Sequence, residues 1–538
     1  MKKFWSLLAV AGLGALACGP VQPPARQDQA GGEAQPRFGG VLTTAMESDP
    51  NDWDMRTQGK TGVNAEVHGL AYETLIRFKN GVEADFASQI LLPRLAEKWE
   101  VSADAKTFTF SLRKGVKWQN LPPVNGREFT AADVKWSVEY YTATGPFAGK
   151  LKGVSQNESF FQGLESIQTP DPYTAVLNFN DAYAPFIYYA ASQWVPIAAK
   201  EVYEQDGHLK DTLIGTGPFI FDKESSRKGT AWIAKKNPDY WNKEGIYLDG
   251  IRRLVLPEIA TEQAAFQTKQ LDVRKILFAT DARQSIAANP QASVYKYEQP
   301  IGNALLISQR RGGPAADVRI RRAISLGLDR AEHSRVLYGG EATPFAAGAW
   351  PGLFTDAEIK EMTRYDPDQA RKLIAEAAPK GVDMEMIVTN TDELTQQELI
   401  QSQLKKIGVN VKFTVLPREQ HRPRLYSGDY DFYRNSGGGL LGPDADTSLF
   451  GEFHSKSSLN WSQIKDDELD KLLVNTRREV DPARRREAMR AAAVRINEMA
   501  WDPGIVFPAN WGLSHPYVKN WRPHFARGEH EAVVWLDK

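Results

Sequence analysis

Three short stretches alternate apolar and polar positions with a period of two, and each predicts a strand with one buried face. Phe108, Phe110 and Leu112 interleave with Thr109 and Ser111; Ala175, Leu177 and Phe179 repeat the pattern; so do Val409, Val411, Phe413 and Val415. Between them the period lengthens to that of a helix. Thr130 stands where it can cap a helix carrying Val134, Val138 and Tyr141 on one face, with Asp133 at the third helical position. A helix bearing Leu399, Leu404 and Ile407 is expected just before the third strand. Asp366-Pro367 and Asp481-Pro482 each place a capping carboxylate before a proline suited to a first helical turn. The second of these opens a helix with Met489, Ala493, Ile496 and Ala500 at helical spacing. Strands and helices mix along the whole chain without a repeat of 20–50 residues, so the fold class is α/β or mixed α+β in several lobes.

The first forty residues follow a different pattern. Lys2 and Lys3 precede an apolar run from Phe4 to Leu16, shorter than the ~20 residues a bilayer needs. This is the layout of a secretory signal peptide, expected to span residues 1–17. Its tail, Gly14-Ala15-Leu16-Ala17-Cys18, resembles the lipobox of bacterial lipoproteins, with Ala15 where leucine is commoner. The resemblance implies lipidation at Cys18 and a membrane anchor; ordinary secretion with a free thiol is the alternative. Residues 18–37, rich in Pro, Gly, Gln and Ala, read as a disordered tether.

Composition narrows the function. At about 150 residues per domain, 538 residues suggest three to four domain-sized units. Lys+Arg total 66 against 67 Asp+Glu, a balance that points away from nucleic acid as a partner. The arginines from Arg477 to Arg495 read as a solvated helix face with acidic neighbours Glu479, Glu487 and Glu498. A single cysteine excludes a disulfide framework and thiolate metal sites. No phosphate-binding loop, nucleophile elbow or zinc-protease helix occurs. His524 and His530 lack a local carboxylate at metal spacing, so no metal and no cofactor is expected.

Four ordered stretches carry a resemblance. They are Tyr72-Glu73-Thr74-Leu75-Ile76-Arg77-Phe78; Pro93 to Glu100 leading through Lys106–Trp118 to Phe129-Thr130-Ala131-Ala132-Asp133-Val134; Gly215-Thr216-Gly217-Pro218-Phe219 followed by Asn237-Pro238-Asp239-Tyr240-Trp241; and Asp317 to Leu326, ending at Asp329-Arg330. Together they resemble the extracytoplasmic solute-binding proteins of oligopeptide, dipeptide and nickel ABC importers, family 5. The second stretch departs from that family in carrying extra residues from Gln119 to Val124. The resemblance implies a periplasmic-binding-protein fold (type II, the large three-lobed kind) with two main lobes closing on a ligand cleft. Lobe Ia would comprise 38–77, 190–300 and 505–538, lobe Ib 78–189 and lobe II 301–504. The crossings would lie near 299–302 and 502–507. It also implies a monomer without enzymatic activity that hands its ligand to the transmembrane permease subunits.

In peptide-binding relatives an aspartate of lobe II anchors the ligand's amino end. Here an ungapped match puts Leu441 at that position, with Asp444 and Asp446 on the second and third acids of the motif. Either Asp444 takes over, or the ligand has no free amino end, which favours an uncharged oligosaccharide or a peptide held by its backbone. Trp99, Trp118 and Trp136 are expected in the core. The remaining candidate contacts are Asp49, Asn51 and Trp53 in one loop, Gly215 and Thr216, the flexible run containing Gly437 and Gly438, and Trp461 and Trp511. A secreted envelope hydrolase and a structural lipoprotein are the competing readings.

Overall fold

The computed structural model describes residues 35–50, 52–56, 62–151, 155, 157–299, 302–310, 313–390, 392, 394–438, 444–526 and 528–538. The signal segment, Cys18, most of the tether, Asn51 and Leu441 lie outside them. The alternating stretches form strands where expected. Thr107–Leu112 and Thr174–Phe179 both alternate half-buried with buried residues and pair antiparallel, Phe108 opposite Leu177 and Phe110 opposite Ala175. With Ala96–Val101 and Leu164–Asp171 they make a four-stranded sheet. Helix Ala131–Thr142 belongs to the same core, which gathers Phe108, Phe110, Trp118, Phe129, Val134 and Tyr141. Its entry is capped by Asp133, whose carboxylate accepts from the Thr130 amide at 2.9 Å. The extra residues behind Trp118 form a turn, and Gln119 is fully buried.

A second four-stranded sheet joins Val41–Met46, parallel, to Gly250–Val255, followed by Ala231–Lys236 and Phe219–Phe221. The largest sheet has eight strands and is organised by Gly504–Ser514. This long strand pairs through residues 509–514 with Val273–Ile276 and Ser293–Glu298, and through its first half with Gly302–Ile307 and Ala342–Pro344. The sheet then continues through Phe432–Gly438 and Val382–Thr389 to Val409–Leu416. In the stretch 502–507, expected as a crossing between lobes, the chain runs as unbroken strand from Gly504 onward, because its backbone groups find partners on both sides. The run containing Gly437 and Gly438 continues the strand as far as Gly438, which pairs with Gly302.

Both Asp-Pro helix starts form as expected. Asp366 accepts from the Gln369 amide and Asp481 from the Arg484 amide, each at 2.9 Å. The helix Thr395–Lys405 turns Ile400 and Leu404 to the core rather than Leu399. The helix Pro482–Glu498 stops short of Ala500, which takes a left-handed φ of 50°. Residues Arg37–Lys538 form one compact unit. No described helix is long and apolar enough to cross a membrane.

Candidate functional site

Asp444 immediately precedes the short helix Asp446–Phe453 and accepts from the Asp446 amide at 2.9 Å. Its carboxylate is buried and gripped from both sides by Arg485, at 2.8 and 2.5 Å. Asp446, also buried, receives Arg477 at 2.7 and 2.8 Å and the Tyr189 hydroxyl at 3.3 Å. Bidentate pairs of this kind are the strong form of charge-assisted hydrogen bond. Both acids are therefore engaged inside the protein, and neither presents a free carboxylate to an ammonium group. This corrects the reading of the arginine-rich stretch as a solvated face. Arg477 and Arg485 turn inward onto carboxylates and rings, Arg477 lying over Phe450 and Tyr183 and Arg485 over Tyr188. Only others, such as Arg484 beside Glu479, keep the expected exposed pairing.

One turn further along the same helix, Ser448 and Glu452 share a face and line a cavity of about 30 Å³. Its other walls are Ala304 and Leu306 of the central strand, the Phe345–Ala349 segment, Asp502 and Phe507. Asp502 has a left-handed φ of 47° and is buried. It accepts from the Ile307 amide at 2.8 Å and from the Ser462 hydroxyl at 2.7 and 2.8 Å. Burial pushes its carboxyl up to about 7. Glu452 has no hydrogen-bond or ion-pair partner among the described residues. The residue is half-buried, and this burial, with the Asp502 charge adding to it, pushes its carboxyl up to about 8. Phe345 and Phe507 stack at 4.3 Å. Phe345 fits there because Gly302 and Gly504 lack side chains: a Cβ on Gly302 would come within 2.5 Å of its ring, and one on Gly504 within 2.3 Å of its carbonyl.

The remaining candidates are placed as follows. Asp49 accepts from the Gly229 amide and from the Trp232 indole at 2.8 Å, tying its loop to a neighbouring hairpin. Trp53, expected to face a ligand, is buried among Trp232, Phe221 and His68. Trp511 is likewise buried, in the middle of the long strand with Phe266 and Leu271. Gly215 packs against helix Gly62–Ala71, where a Cβ would meet the Ala71 carbonyl at 2.0 Å, and Thr216 beside it is buried. Gln119 holds this stretch, donating to the Phe219 carbonyl at 2.8 Å. Gly437 and Gly438 lie in strand backbone next to Gly302. Trp461 alone of the three tryptophans stays half-buried, with its ring 5.5 Å from that of the exposed Tyr426. Glu452, Asp502 and Phe345 escaped the sequence reading. The available signal was Glu452 itself, an acid inside the otherwise apolar run Leu449-Phe450-Gly451-Glu452-Phe453. Among the described residues no three His, Cys, Asp or Glu side chains gather as metal ligands.

Comparison with known proteins gives this architecture its family. Di/tripeptide-binding protein 2 of Pseudomonas aeruginosa is 28% identical over 520 residues, covering 90% of this chain and 91% of its own. Heme-binding protein A of Haemophilus influenzae is 26% identical over 390 residues, 69% of each chain. The periplasmic binding protein DppA of Helicobacter pylori, solved with the peptide STSA, superposes with a TM-score of 0.73 at 25% identity, over 93% of this chain and 99% of that one. HbpA2 of Haemophilus parasuis shares the fold with a TM-score of 0.78 at 22% identity, over 92% and 100%. Solute-binding proteins of ABC transporters are not enzymes, and the fold is that of the periplasmic binding proteins. Residues 91–460 match the family described as bacterial extracellular solute-binding proteins, family 5, and the chain belongs to it.

Proposed function

We propose that this protein is the peptide-capturing subunit of an ABC importer, tethered to the membrane through lipidated Cys18 and delivering short peptides to a permease. The observation that carries the ligand class is the near full-length similarity to a di/tripeptide-binding protein. The similarity to a binding protein solved with a tetrapeptide supports it. Capture of this kind needs no chemistry. A ligand held from two sides shifts an open–closed equilibrium toward the closed form, provided that both lobes contribute contacts in that form.

In this reading the lobes are 38–77 with 190–300 and 505–538, 78–189, and 301–504, and the chain crosses between them near 299–302 and 502–507. Polar links between these stretches support it: Arg477 donates to Gln162 at 2.9 Å, and Lys296 to Glu341 at 2.6 Å. The Trp461–Tyr426 pair is a candidate ring surface for ligand side chains. The test is tryptophan emission of the purified protein titrated with a pool of di- to tetrapeptides, followed by mass spectrometry of what is retained. The expected result is a saturable shift and release of unaltered peptides. Hydrolysis of the pool would overturn the reading. So would retention of heme, seen as a Soret band, with no retention of peptide.

A further inference from the structure

A groove of about 650 Å³ opens beyond Ser514, the last residue of the long strand, about 33 Å along it from Gly504. Its walls include Lys269, Asn289, His515, Tyr517, Lys519 and Asp537. One side is firmly built: His515 stacks on both Phe266 and Tyr517, and the Tyr517 hydroxyl donates to the buried Asp272 at 2.7 Å. The charges there are unequally used. Asp537 pairs with Arg37 at 3.0 Å, and Asp272 with Lys538 at 3.1 Å. Lys269 and Lys519 have no ion-pair partner among the described residues, so the groove carries an excess of positive charge.

The folded body begins at the rim of this groove. Arg37, its first residue, is the partner of Asp537, and Gly40 lies against Leu536. Between them Phe38 is 65% exposed, with the Lys236 ammonium 5.2 Å from its ring centroid. Residues 19–36 connect this point to Cys18, a reach of at most about 65 Å. We propose that the groove seats the anionic headgroup of a membrane phospholipid, with Lys269 and Lys519 on its phosphate and Phe38 at the bilayer interface. Lysine binds phosphate as a point charge, and an exposed aromatic ring beside cations suits the headgroup boundary. Docked in this way, the body stands on the Ser514 end of its long strand, and the crossing at Gly504 is held clear of the bilayer. The inference rests on the Cys18 reading only for bringing the groove to a membrane; the affinity of the groove for headgroups does not depend on it.

Residues 19–538 test the groove apart from the anchor, since they hold the whole compact unit Arg37–Lys538 and lack both the signal segment and Cys18. Flotation with phosphatidylcholine vesicles, alone and mixed with phosphatidylglycerol, reads the binding. Saturable binding to the mixed vesicles is expected, with none to the neutral ones. At the usual strength of a lysine beside an anionic bilayer, Lys269→Gln combined with Lys519→Gln should weaken it about 30-fold. Lys269→Arg combined with Lys519→Arg should retain it, and an unaltered urea midpoint in each variant confirms folding. Lack of binding to the mixed vesicles, or equal binding by the glutamine variant, overturns the proposal. So does binding of soluble glycerol phosphate without binding to vesicles. Lipidation is read separately, by mass spectrometry of the chain extracted from membranes: an unmodified Cys18 overturns the anchor and leaves the result for the groove standing.

Discussion

Arg485 and Asp444 form a buried pair whose halves are unequal to lose. Removing the guanidinium leaves a carboxylate inside the protein without a counter-charge, a change that typically costs about 3–5 kcal/mol. Arg485→Met is therefore expected to lower the unfolding free energy by that amount, read as a lower urea midpoint at unchanged slope, and adding Asp444→Leu should recover part of the loss. An unchanged midpoint in the single variant would show that water reaches Asp444. His68 gives a second prediction at this scale. It is buried beside Trp53 and Tyr72, and burial pulls it down to about 3. The unfolded chain takes up that proton near pH 6.5. Its contribution to stability is thus complete above pH 6.5 and is lost as pH falls toward 3, at about 1.4 kcal/mol per pH unit. His68→Leu should remove about one proton from the pH dependence of unfolding between pH 6 and 4.5, read by urea denaturation at several pH values. An unaltered slope would mean that His68 is solvated.

Between elements, the junction of strands Gly302–Ile307 and Gly504–Ser514 depends on two missing side chains. Phe345 occupies the space above both glycines. Gly302→Ala places a methyl group 2.5 Å from the Phe345 ring, and overpacking of this kind costs about 1–3 kcal/mol. A double-mutant cycle with Phe345→Leu should show coupling, the smaller side chain relieving part of the cost; additive effects would show that Phe345 moves aside freely. These glycines were legible only as members of the two expected lobe crossings. Their contact with Phe345 joins residues some 40 and 160 positions apart, which no local pattern encodes. By contrast the strands Thr107–Leu112 and Thr174–Phe179, and the helices behind Asp366 and Asp481, were legible in full. Each depends on side chains a few residues apart and on one buried face.

Across the whole molecule, Arg477 connects two distant parts of the chain. Its carbonyl accepts from the Ala184 amide at 2.7 Å, its side chain donates to Gln162, and through Asp446 it shares a partner with Tyr189. Arg477→Ala is expected to raise amide exchange in residues 183–190 and 446–450, with the long strand Gly504–Ser514 left protected, as read by hydrogen exchange with mass spectrometry. Equal exchange in both proteins would show that the link contributes nothing to holding these parts together. If closure includes this contact, the variant also binds peptides more weakly.

The sequence by itself determined the family, the α/β character and the helix and strand starts. Those follow from motifs, caps and periodicities written within a dozen residues of one another. It also determined that thiolate metal sites and disulfides play no part, since one cysteine cannot build either. Only the tertiary structure decided which polar groups are free. Asp444, Asp446, Asp49, Arg477 and Arg485 look alike as letters, and their partners lie tens to hundreds of residues away. Whether a carboxylate can serve a ligand depends on what already satisfies it, and in this fold long-range pairing closes the acids that the motif had put forward.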